Sequence, residues 1–191
     1  AATALGQIGN PAAVPGILKA LRTDVDRVLE HALIYALIEL NDHNATKAGL
    51  ASPSARVRRG TLIALDQMDD GRLSRDMVAP LLDTVDADLQ QAALRVISGR
   101  PGWSDEIRSL LARLLKRPSI SDGERAMVRG ALLAFCEDKQ IQQLVASTLL
   151  EDRAARDVRA LLLEVIGRGG VSPLPASWIQ ATAHSLQSAD A

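Results

Sequence analysis

The chain has 191 residues, 47% of them hydrophobic but only 2% aromatic, so its apolar mass is almost wholly Ala, Leu, Val and Ile and suits helices that approach closely. A formal net charge of -1 excludes the strong overall basic field of most nucleic-acid binders. No apolar run approaches the roughly 18 residues of a membrane-spanning helix, and the single cysteine, Cys136, excludes an intrachain disulfide and a cysteine-rich metal site.

The chain opens on Ala1-Ala2-Thr3, without Met and already inside a helical pattern, as expected of a piece of a longer protein. Ala4 to Ile8 reads as the end of one helix, closed by the turn Gly9-Asn10-Pro11. Pro11 to Leu21 reads as the next, its proline placed where a missing N–H does no harm. There follow apolar helices over Leu29–Leu37, Asn44–Ala51, Val57–Leu65, Ser74–Leu82, Leu89–Ile97, Ser104–Leu115, Met127–Phe135, Asp138–Leu150, Val158–Ile166 and Pro175–Leu186. Turns fall at Asp69-Asp70-Gly71, Pro101-Gly102 and Gly169-Gly170, and no segment alternates polar and apolar residues strongly enough to predict a strand.

Every second helix repeats one pattern. Laid beside one another, the five helices beginning at Leu29, Val57, Leu89, Met127 and Val158 keep apolar residues in the first column, in the sixth (Ile34, Leu62, Leu94, Leu132, Leu163) and in the last (Leu37, Leu65, Ile97, Phe135, Ile166). The fourth column is small at Ala32, Gly60, Ala92 and Gly130, where a neighbouring helix is expected to come closest, with Leu161 the exception. Asp26, Ser54, Asp86 and Glu124 stand three residues before the first column as expected caps, Glu124 being the poorest of them. A helix pair of about 30 residues cannot bury both apolar faces alone, so neighbouring pairs must complete each other's core. The expected architecture is all-α, one repeat domain over residues 1–191 forming an α-α superhelix of about five to six helix pairs.

The segment Ala4-Leu5-Gly6-Gln7-Ile8-Gly9 followed by Pro11-Ala12-Ala13-Val14-Pro15 resembles HEAT-like repeats of the phycobilin-lyase type, a likeness that implies a HEAT/armadillo-like solenoid. A narrower resemblance lies in Val57 to Asp69, Val78-Ala79-Pro80-Leu81-Leu82 and the turn Gly99 to Trp103, which look like the HEAT segment of large planctomycete-type haem-binding dehydrogenase-like proteins. That likeness implies a longer oxidoreductase, periplasmic or exported, with a sugar-dehydrogenase-like propeller before this segment and a c-type cytochrome domain after it.

The residues themselves nominate no catalytic, cofactor-binding or metal site. Haem attachment needs Cys-x-x-Cys-His, whereas Cys136 is followed by Glu137-Asp138-Lys139 and reads as a small helical filler. His31, His43 and His184 lack an i, i+4 ligand partner. Arg56, Arg58 and Arg59 form a basic run read first as a solvated helix start and second as a grip for phosphate or an acidic partner. Asp66, Asp69 and Asp70 lack the ordered ligand alternation of a calcium loop. Trp103 is expected to staple onto Ile107 ahead of a Ser104 cap, and Trp178 to cover the end of the stack.

Taking the apolar columns away leaves His31, Arg59, Gln91 and Arg129 in one equivalent position, and Tyr35, Ile63, Arg95 and Leu133 one turn later. This row is the candidate partner-binding face, and its Arg and Tyr content suits protein recognition. The reading is a non-catalytic interaction or spacer module whose partner is a protein or another domain of the same longer chain, with no nucleic acid, no membrane span and no cofactor. Two rivals are weaker: a bilin-lyase-like chromophore binder, for which Tyr35 is the only aromatic on the open face, and a helical-repeat DNA binder, disfavoured by charge and scarce aromatics.

Overall fold

The computed structural model describes residues 2–68 and 73–187, and every regular element among them is helical. In chain order the α-helices are α1 (Ala2–Ile8), α2 (Val14–Ala20), α3 (Arg27–Leu40), α4 (His43–Lys47), α5 (Ala55–Gln67), α6 (Arg75–Val78), α7 (Ala87–Ser98), α8 (Ser104–Leu115), α9 (Asp122–Ala134), α10 (Lys139–Leu150), α11 (Arg156–Arg168) and α12 (Ala176–Gln187). Tight 3-10 turns lead into α2 at Pro11–Ala13 and follow α4 at Ala48–Ala51 and α6 at Ala79–Asp83. The last of these contains Pro80, whose missing N–H cannot continue an α-helical ladder. The turn expected at Asp69-Asp70-Gly71 lies outside the described residues.

The chain forms two compact units, Ala1–Val96 and Ile97–Ala191. Within the first, α3 packs between α1 and α5, while α2 and α4 pack on each other and back onto α3 and α5. Within the second, α8, α10 and α12 stack in order, α9 packs on α11, and α10 and α12 close on α11. Each unit is therefore a HEAT-like stack of helix pairs in two layers, as the repeated columns predict.

The caps explain where the helices begin. Asp26 and Asp86 accept from the amides of Leu29 and Leu89, each at 2.8 Å, as expected. Ser54 holds the cap position of α5 without a side-chain bond. Glu124 is not a cap: Ser121 is, and the two form a reciprocal capping box, the Glu124 amide donating to Ser121 Oγ at 3.3 Å and the Ser121 amide to Glu124 Oε2 at 2.9 Å. Trp103 rather than Ser104 takes the cap position of α8. The staple position then falls to Gly102, which has no side chain to supply one, and the Trp103 ring instead faces the Arg100 guanidinium 5.2 Å from its centroid. Gly9 and Gly170 follow helices with φ of +68° and +64°, left-handed angles that glycine adopts without strain.

The core follows the columns with three corrections. Leu62, Leu65, Leu94, Ile97, Leu132 and Phe135 are all buried, as expected. In the first column, however, Leu29 is 42% exposed, and Val128 is buried in place of its half-exposed neighbour Met127. In α11 the buried set is Val158, Leu161, Leu162 and Val165, while Leu163 and Ile166 are only partly covered. The row there starts one residue earlier than expected, at Asp157, which puts Ala160 in the small fourth column but sets the exposed Asp157 in the otherwise apolar first column. Close approach at that column is real at Gly60, where a Cβ would lie 3.1 Å from Leu21 and 3.3 Å from Ile34, but a Cβ on Gly130 would meet nothing within 4 Å. Trp178, on the last described helix, is fully buried where α10 meets α12, its Nε1 donating to the Gln142 carbonyl at 2.9 Å.

Candidate functional site

In the first unit, α3, α5 and α7 present their equivalent outward positions side by side. His31 from α3, Arg59 and Ile63 from α5, and Gln91 and Arg95 from α7 line one open groove of about 750 Å3. Buried Ile34 and Val96 with half-buried Ile63 give it an apolar floor, and Arg27, Glu30, Asp66 and Asp88 supply charge around that floor. Regular helix spacing is what makes the groove: α5 and α7 each contribute the two residues one turn apart that their core-facing columns leave outside, and α3 contributes the first of its pair, His31.

The arginine run is neither freely solvated nor free to grip. Arg59 donates through Nη2 to Glu30 Oε1 at 2.6 Å and through Nη1 to Asp88 Oδ2 at 2.7 Å, joining α3, α5 and α7. Burial works against the Arg59 charge, but Glu30 and then Asp88 outweigh it and hold the guanidinium more firmly charged than usual. Arg56 donates to the Thr23 carbonyl at 2.8 Å and to Asp24 at 2.9 Å, and Arg58 to the Ser52 carbonyl at 3.2 Å. Each of the three is an internal tie. Glu30 and Asp88 were not visible as site residues in the sequence, although both lie 29 residues from Arg59, close to one repeat.

The remaining candidate positions fall elsewhere. Tyr35 is 47% exposed outside the groove lining, and its phenol is pushed up first by a hydrogen bond with Glu39 and then by that carboxylate's charge. Arg129 and Leu133 belong to α9 in the second unit, where Arg129 Nη1 stands 3.4 Å from Glu164, a carboxylate that Arg168 also approaches at 3.0 Å.

Chemistry-bearing side chains outside the groove have structural surroundings. The buried Cys136 thiol donates to the Gly169 carbonyl at 3.2 Å. His184 Nε2 stands 3.4 Å from Asp152, His31 is exposed on α3, and buried His43 Nδ1 has no partner among the described residues. Among the described residues no three His, Cys, Asp or Glu side chains are grouped so as to hold a metal ion. Asp66 lines the groove, whereas Asp69 and Asp70 lie outside the described residues. No helix among the described residues is long and apolar enough to cross a membrane.

Residues 1–23, which span α1 and α2, match the family model of the PBS lyase HEAT-like repeat. Comparison with curated proteins gives no match. The matched segment supports a HEAT-like repeat at residues 1–23, and the helix pairs stacked within each unit agree with a HEAT-like helical solenoid.

Proposed function

We propose that this chain is a non-catalytic docking module whose groove over α5 receives a segment of another protein, or of another domain in the same longer chain. The observation that supports this is the convergence of His31, Arg59, Ile63, Gln91 and Arg95, from three successive repeats, on one groove. An apolar floor edged by arginines, carboxylates and an amide is recognition chemistry, and a groove open to solvent accommodates an extended chain without requiring its ends. HEAT-like stacks suit this role because neighbouring repeats hold such positions at fixed spacing.

The resemblance of Val57 to Asp69 and of the Gly99 to Trp103 turn supports a place for the module in a multidomain oxidoreductase, between a propeller and a cytochrome domain. Sequencing the flanking regions of the gene tests that placement, which falls if neither a propeller nor a Cys-x-x-Cys-His motif adjoins.

The docking reading is tested by selecting displayed random peptides on the immobilised chain and re-screening them against Ile63→Asp and Gln91→Lys. Peptides that lose binding to both variants, while the variants melt like the parent, support the groove. Peptides that bind the variants unchanged place recognition elsewhere, and a selection without enrichment contradicts the docking reading.

A further inference from the structure

We propose that the segment received by the groove is acidic, presenting carboxylates to Arg95 and Arg27 and an apolar side chain to Ile63; the inference rests on the docking reading above. Three arginines line the groove, and they are not equivalent. Arg59 is spent internally on Glu30 and Asp88. Arg27 and Arg95 are exposed, and neither makes a hydrogen bond or ion pair with any described residue.

Carboxylates are also present in the lining, so the balance after internal pairing decides the sign. The Glu30 side chain is only 15% exposed and faces Arg59, and Asp66 has a partner of its own. Asp88 gives one oxygen to Arg59 and turns the rest to solvent. What remains without any partner is a cation on α3 and a cation on α7, set against the solvent-facing oxygen of Asp88, with the half-buried Ile63 contributed by α5. A planar guanidinium without a partner takes a carboxylate through two parallel hydrogen bonds, which an extended acidic chain supplies at intervals.

A phosphodiester chain fits less well. Its unbroken line of charge would meet Glu30, Asp66 and Asp88 as well as the arginines, and the lining holds no aromatic ring on which a base could stack. Discrete acids separated by an apolar residue match the alternation of the groove better than a uniform polyanion does.

Fluorescence anisotropy with three labelled probes tests this: a short peptide with glutamates flanking two leucines, the same peptide with lysines for glutamates, and a short DNA duplex. The acidic peptide is expected to bind best, about tenfold more weakly to Arg95→Gln, with a smaller loss for Arg27→Gln, partial recovery in Arg95→Lys, and a difference that shrinks as salt rises. Both arginines are exposed and unpaired, so the variants should melt like the parent, and Arg153→Gln in the second unit should change nothing. No binding of the acidic peptide, equal or tighter binding of the lysine peptide or the duplex, or indifference to Arg95→Gln overturns the proposal. If the lysine peptide binds and Ile63→Asp abolishes it, the acidic assignment alone falls; if Ile63→Asp affects no peptide, the docking reading falls with it.

Discussion

Gly49 stands so close to Thr61 that a Cβ added to it would lie 2.1 Å from the Thr61 hydroxyl oxygen. Thr61 is fully buried on α5, its branched side chain is stiff at χ1, and its Oγ1 has no hydrogen-bond partner among the described residues. A Cβ at position 49 would therefore force the 3-10 turn after α4 or the Thr61 side chain to shift. Gly49→Ala is expected to destabilise the chain by about 1–3 kcal/mol, the usual range for overpacking. In a Thr61→Ala background the same change should cost clearly less, because the clashing oxygen is gone; equal losses in urea melts of the two backgrounds would contradict the contact.

The register of α11 gives a second test. Leu162 is fully buried and Leu163 only partly, so Leu162→Ala should cost about 2–5 kcal/mol, as should Leu62→Ala and Leu94→Ala. Leu163→Ala should cost about 1 kcal/mol, in proportion to the apolar area it removes from cover. Denaturant melts that reverse the order of Leu162 and Leu163 would restore the register read from the repeat columns.

That register shows how far sequence reading reached. The helix pairs were legible because apolar spacing repeats over five helices, but the run Leu161-Leu162-Leu163 offers apolar residues to two adjacent registers and periodicity cannot choose between them. The columns disagree: the earlier start places Ala160 in the small column but Asp157 in the apolar first one. The start of α9 was likewise readable: Ser121 followed three residues later by Glu124 is the capping-box pattern. The groove row was visible as what the apolar columns leave over. The partners of Arg56 and Arg59 were not, because a charge run carries no sign of pairing with Asp24, Glu30 and Asp88 across neighbouring repeats.

Arg59 should behave as a stability residue. Arg59→Ala leaves the largely covered Glu30 carboxylate without its cation, and the loss is expected to be about 1 kcal/mol, the exposed Asp88 arm adding little because solvent screens it. A double-mutant cycle with Glu30→Gln should recover part of that loss, and additive effects would remove the pair from the account.

Acid sensitivity should come from the helix caps. Hydrogen bonds from the Ser121 amide and then its hydroxyl, with Arg117 adding to them, hold Glu124 below the usual carboxylate range. Burial pushes Asp138 up, but the Ser104 hydroxyl and the amides of Ile141 and Gln140 outweigh it and bring this carboxyl down as well. Both groups are thus harder to protonate when folded than when unfolded. Their stabilisation is complete above the unfolded values of about 4 and is lost as pH falls through the lower folded values. Chemical melts along an acid series should show stability falling below about pH 4, with a shallower fall in Asp138→Asn. A fall unchanged by that substitution would assign the acid sensitivity to other groups.

Docking in the groove over α5 is tested most directly by amide chemical-shift mapping of the isotope-labelled chain during titration with the tightest selected peptide. The largest shifts are expected on Ile63, Gln91 and Arg95 and their helical neighbours, while the amides of α2 and α4 on the other layer stay nearly still. Shifts concentrated on α2 and α4, or spread evenly over the first unit, would contradict it.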